Sequence, residues 1–139
     1  MVFSFRLVGT GKEPFFRDFE ISGNQTFLDF HNAIQDELKY DNKQMTSFYL
    51  ADNKWEKGLE INLFDMTEDS HTPVVIMENT MLCDLVSEVS QRLLYVFDFF
   101  SNRAFFIELI SIRQMEPGKK YPVCTARAGS PPEQIIIDG

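Results

Sequence analysis

Histidine and cysteine are scarce in this sequence, and long apolar runs are missing. Two histidines, His31 and His71, and two cysteines, Cys83 and Cys124, occur in 139 residues. There is no CxxC or paired Cys/His spacing, so neither a zinc site nor the disulfide framework of a small secreted domain is spelled out. No window approaches the roughly 18 apolar residues of a membrane span. The start, Met1-Val2-Phe3-Ser4-Phe5-Arg6, lacks the charged head and apolar stretch of a signal peptide. Basic residues are thinly spread: 13 Lys and Arg stand against 21 Asp and Glu, a net charge of −8, and the sole adjacent basic pair is Lys119–Lys120. Nucleic-acid affinity grows with the number of phosphates neutralised, which takes clustered cations. Neither nucleic acid nor a membrane is therefore the expected partner. A Gly-rich phosphate loop, a nucleophile elbow and HExxH are also absent. The expectation is a cytoplasmic, reduced protein with no cofactor and no metal.

What the sequence has is phenylalanine, 14 residues of it, in a chain that is 44 % hydrophobic and 14 % aromatic. Phe favours strands, and burying one contributes roughly 1.5–3 kcal/mol. A sheet-containing core follows, within one domain over 1–139 long enough to fold without staples.

Residues 2–8, VFSFRLV, alternate apolar and polar and predict a strand. Gly9-Thr10-Gly11-Lys12 is a turn, and Phe15 to Ile21 forms the second arm of a hairpin. Thr26-x-x-Asp29 resembles a capping box, and Phe27, Phe30, Ile34 and Leu38 recur at helical spacing, so a helix spans about 26–39. Strands are expected at 45–51 and 55–63, with an acidic loop over 64–72. PVVIM at 73–77 reads as a short strand or an apolar loop, and Asn79-Thr80 as the cap of a short helix carrying Leu82, Leu85 and Val86 inward. Arg92–Phe100 and Ala104–Arg113 form a closing hairpin, and 114–139 reads as mostly loop. The fold class is α+β: a mixed sheet with one main helix across it, in a ubiquitin-like β-grasp topology (ββαββ-short α-ββ).

In 93–100, Leu93, Tyr95, Phe97 and Phe99 share one face and Leu94, Val96, Asp98 and Phe100 the other, as in a central strand covered on both sides. Asp98 interrupts the second face. It is either a tuned acid or metal ligand, or an aspartate that caps the turn at Ser101-Asn102 or meets Arg103; the second reading is favoured because no partner carboxylate or histidine has suitable spacing. His31 lies at the margin of the helix stripe, better placed for the core than for a metal. Glu68, Asp69 and His71 lack any standard cation-loop signature, and Cys124 has no evident base. Trp55 and Ile135-Ile136-Ile137 are leads for binding, through a sheet edge or a second copy, with packing into the chain's own core as the equal alternative.

Several motifs lie in order: Pro14-Phe15-Phe16-Arg17, Thr26-x-Leu28-Asp29-Phe30-His31-x-x-Ile34-Gln35, Tyr95-x-Phe97-Asp98-Phe99, and Pro117-Gly118-x-x-Tyr121-Pro122-Val123-Cys124 with Pro131-Pro132-Glu133. They resemble the plasmid pRiA-type ORF-three-like family, which includes passenger proteins of mobile elements, some labelled resolvase-like. The resemblance implies an α+β domain without an established activity. The departures are instructive. Ser101 stands where relatives carry a second Asp, Arg103 where they carry Trp, and Phe105 where they carry His. Lys39-Tyr40-Asp41-Asn42-Lys43-Gln44 replaces a Gly-Trp-x-x-x-His segment. Phe cannot bind a metal or move a proton. The sequence thus favours a non-catalytic domain that binds a protein or peptide or associates with itself, with His31, Tyr40, Asp41, Trp55, Asp98 and Arg103 as binding candidates. The alternatives are an accessory factor of a mobile element or plasmid acting near DNA, by family analogy, and a small metal-dependent enzyme centred on Asp98 and His31.

Overall fold

The computed structural model describes residues 1–65 and 73–136. Strands β1 (Val2–Val8) and β2 (Phe16–Ser22) pair antiparallel from Val2↔Ser22 to Val8↔Phe16. The period-two pattern buries Phe3, Phe5 and Leu7 and leaves Arg6 in solvent, where it meets Asp18 across the hairpin at 2.8 Å.

Helix α1 (Phe27–Leu38) starts as its sequence directs. The Asp29 N–H donates to Thr26 Oγ1 at 3.1 Å and the Thr26 N–H to Asp29 Oδ2 at 2.9 Å, closing a capping box. Its stripe of Phe27, Phe30, Ile34 and Leu38 is buried. Phe30 stacks on Phe5 at 4.9 Å and on Phe48 at 5.5 Å, and meets Phe19 edge-on at 5.7 Å. The helix ends at Lys39, with φ 58 in the left-handed region, within the span expected of it.

The remaining elements are β3 (Ser47–Ala51), β4 (Lys57–Asn62), a 3-10 turn at Met77–Asn79, α2 (Leu82–Leu85), β5 (Arg92–Asp98), β6 (Arg103–Arg113) and β7 (Val123–Ala128). The strands form one seven-stranded sheet in the order β4-β3-β5-β6-β1-β2-β7. The molecule is therefore α+β, with one main helix on one sheet. Helix α1 carries the chain from the β2 side to the β3 side, and the β5–β6 hairpin fills the gap between.

That hairpin corrects the expectation of a mixed sheet. β6 is the returning arm of β5, so it runs antiparallel to both β5 and β1, and all six ladders are antiparallel. Among the described residues the single parallel pairing is an isolated bridge between Asn62 and Ile76. Three further details differ from the sequence reading. β5 stops at Asp98, so Phe99 and Phe100 lie in the turn and not on the strand faces. The described part of segment 114–139 is mostly loop as expected, but it also holds a strand that the sequence did not show, β7, which pairs along β2 from Phe16↔Ala128 to Glu20↔Val123. Its alternation is weak because an edge strand buries little, and Val123 and Cys124 are only half-buried. Finally, Met81 rather than Asn79 or Thr80 precedes α2, its N–H donating to Asp84 Oδ2 at 2.9 Å. Leu82 and Val86 point inward as expected. Among the described residues no helix is long and apolar enough to cross a membrane.

Lys39 holds a conformation in which a side chain costs about 1 kcal/mol relative to glycine. Lys39→Gly is expected to stabilise the fold by up to about 1 kcal/mol, read as a higher urea midpoint at unchanged slope; a lower midpoint would contradict the role given to this cap.

Candidate functional site

One end of the sheet collects four of the six candidate residues. The turn between β5 and β6, the end of α1 and the tail 131–136 meet there. Phe97 and Phe105 stack at 4.5 Å, Phe105 stacks on Phe15 at 5.6 Å, and Tyr40 leans on Phe97 at 5.7 Å. The Arg103 guanidinium lies over the Phe97 ring, 4.8 Å from its centroid. The tail is tied across this aromatic floor. The Tyr40 hydroxyl donates to the Pro132 carbonyl, and Arg103 Nη2 donates to the Gln134 carbonyl at 3.1 Å. The Gln134 side chain accepts from the Asp41 N–H at 2.7 Å and donates to the Asp41 carbonyl at 2.8 Å.

Asp98 sits at the hinge of this arrangement. Its Oδ2 accepts from Arg103 Nε at 2.8 Å and its Oδ1 from the Ser101 N–H at 3.2 Å. Thus it both caps the turn and pairs with Arg103. Burial works to raise its carboxyl pKa, but the Arg103 bond and the turn N–H groups outweigh burial and hold it below the ordinary aspartate value. Such a carboxylate is ionised and engaged on both oxygens, which suits neither a general acid nor an open ligand position. The Asp41 carboxylate likewise caps the Lys43 N–H at 3.0 Å.

His31 lies elsewhere. It is 1 % exposed, and its Nδ1 is 2.7 Å from the Tyr95 hydroxyl and 3.2 Å from Thr46 Oγ1. Gln35 Nε2 donates to the same Tyr95 oxygen at 2.8 Å, while Gln35 Oε1 is buried with no partner among the described residues. Burial lowers the His31 pKa to about 4, the nearby Asp36 opposing only weakly. The imidazole is thus neutral and internal, a polar pin between α1 and β5. Trp55 packs against Phe106 at 4.7 Å, with Arg92 stacked 4.6 Å over its ring. Phe106 pairs with Leu94 and so belongs to the sheet face opposite α1. Glu68, Asp69 and His71 lie outside the described residues, and among those described no group of His, Cys, Asp and Glu could hold a metal.

Two grooves flank the tail. One, about 320 Å³, runs between Gly9–Glu13 and Phe15, Phe97 and Phe105. The other, about 690 Å³, is lined by Met45, Phe99, Phe100, Ile135 and Ile136 among others. Phe100 is fully exposed, and the other four are each about half exposed. A third concavity of about 460 Å³ lies between α1 and Val123-Cys124. There burial, with Glu37 beside it, pushes the Cys124 thiol up, so it stays protonated at neutral pH and is a poor nucleophile.

Residues 2–137 match the family model described as plasmid pRiA4b ORF-3-like protein. The chain belongs to that family. It is also similar in fold to a crystal structure of a protein of unknown function from Methanosarcina mazei Go1, with a TM-score of 0.74 at 26 % identity over 91 % of this chain and 68 % of that one. No curated protein matches it. Residues that the sequence resemblance singled out gather at the tail end of the sheet. Tyr40, Arg103 and Phe105 pack around Phe97, and Ser101 and Gln44 line the larger groove. Sequence reasoning named Tyr40, Asp41, Asp98 and Arg103 but missed Pro132, which offers only a main-chain carbonyl, and Gln134, whose side chain meets main-chain groups of Asp41 far away in sequence.

His31 makes a checkable contribution to stability. Its pKa falls from 6.5 unfolded to about 4 folded, so protonation favours the unfolded chain. The contribution is full above pH 6.5 and lost as the pH falls through the window down to about 4, at ~1.4 kcal/mol per unit, or on the order of 3 kcal/mol in all. Denaturant melts should show this loss in the wild type and a much flatter profile in His31→Asn. A parallel decline in both would refute the assignment.

Proposed function

We propose that this chain is a non-catalytic protein-binding or assembly domain, and that its contact surface is the larger groove beside the β5–β6 turn. The observation that supports this most is Phe100. A phenylalanine fully exposed in a turn, flanked by four half-exposed apolar side chains, has no role in its own core. Contiguous apolar surface of this kind marks contact sites on monomeric folds.

The polar groups that might do chemistry are engaged elsewhere. Asp98 is held by Arg103 and the turn, His31 is neutral and internal, and Cys124 keeps its proton. Recognition needs none of them to react. The net charge of −8 argues against a nucleic-acid partner. Two free cysteines favour a reducing, cytoplasmic setting. The hairpin-then-helix opening is read as a variant of the ubiquitin-like β-grasp, with β6 inserted beside β1.

Selection from a random peptide library on the wild-type protein tests the reading. Enriched peptides should be apolar or aromatic, and their binding should drop at least tenfold in Phe100→Asp but be unchanged in Trp55→Ala. Peptides that bind both variants alike would overturn the assignment of the surface.

A further inference from the structure

The groove at the β5–β6 turn carries its own complement. We infer that its occupant is a second copy of this chain, docked about a two-fold axis so that each Phe100 enters the other copy's groove; this deepens the binding reading above and rests on it.

Three observations lead there. The first is shape. Phe100 projects fully from the turn, and the groove of about 690 Å³ opens beside it between that turn, Met45 and Ile135-Ile136. A two-fold contact requires that one patch present both the projection and the recess, because residue i must meet j while j meets i. Here both lie on one face. A projection and a recess on distant faces would instead build an open chain of molecules.

The second is charge. Among the described residues the groove lining holds one charged residue, Asp98, and Arg103 neutralises it at 2.8 Å. A basic partner would find no free anion in this lining, and an acidic partner no free cation. Two copies of a molecule carrying −8 repel across most of their surface. They come together with least penalty through a patch that has no net charge, and this is such a patch.

The third is size. With 150–250 Å² for each large side chain, the five exposed apolar residues present on the order of 500 Å² per copy, at the upper end for a monomer's largest patch. Two such patches and a thin rim bury about 1,000–1,200 Å², the lower limit for a specific interface. The dimer is therefore weak and reversible. Because repulsion between two acidic bodies opposes it, added salt strengthens it, the reverse of an ion-paired interface.

Sedimentation equilibrium of the full chain, from low micromolar to near-millimolar concentration, decides. The expected result is a mass rising from one chain toward two, a shift toward dimer as salt is raised, and a single-chain mass throughout for Phe100→Asp. Phe100→Ser, a milder change in the same exposed turn, should weaken association at least tenfold with an unaltered circular dichroism spectrum. A wild type that stays single at every concentration overturns the inference, as does a dimer indifferent to both substitutions or one that salt dissociates. If the wild type is single but Phe100-dependent peptide binding persists, the second copy is wrong and the binding surface stands. If both are absent, both fall.

Discussion

Phe30 is held between Phe5 of β1 and Phe48 of β3, with Phe19 against its edge, and that stack ties one helix to both halves of the sheet. β1 and β3 are not neighbours, since β5 and β6 lie between them. A helix that must seal Phe27, Phe30, Ile34 and Leu38 can do so only by crossing over the hairpin, which buries Leu93, Tyr95, Phe105 and Ile107 beneath it. Polar groups caught under the crossing then need internal partners. His31, Gln35, Thr46 and Tyr95 supply one another with most of them.

The same crossing decides what happens at the open end of the sheet. α1 finishes at Lys39, where the left-handed turn directs Tyr40 back onto Phe97 and Phe105. Tyr40 and Arg103 then reach the carbonyls of Pro132 and Gln134, and the tail lies down as a strap. The polar side chains at this end are consumed in holding turn, helix and tail together. What they leave uncovered is apolar: Phe99 and Phe100 on one side of the larger groove, Ile135 and Ile136 on the other. This apolar surface, with its neighbouring charges mutually satisfied, is the one proposed above as the contact site.

Much of this was legible beforehand where local chemistry is self-sufficient. The Thr26–Asp29 box, the helical stripe and the alternation of β1 are short-range patterns, and each appears where it was read. Asp98 was legible too, because a carboxylate five residues before Arg103 across a tight turn has partners within reach. The failures are non-local. β7 is an edge strand whose partner lies more than a hundred residues earlier, and half-burial blurs its alternation. The sheet's uniform antiparallel sense depends on where the β5–β6 hairpin inserts, which no single segment encodes. Phe99 and Phe100 read as strand residues because apolar character alone cannot separate a covered face from a projecting turn. His31 read as marginal because its depth is set by Tyr95, far along the chain.

The central claim is that the polar residues at the tail end of the sheet serve structure, with Asp98 as the decisive case. Its side-chain carboxyl carbon, followed by nuclear magnetic resonance across an acid titration, reports this directly. The account predicts titration below the ordinary aspartate value, together with a change at the Arg103 Nε signal over the same range. A carboxyl that keeps its proton toward neutral pH, or titrates without disturbing Arg103, would contradict it.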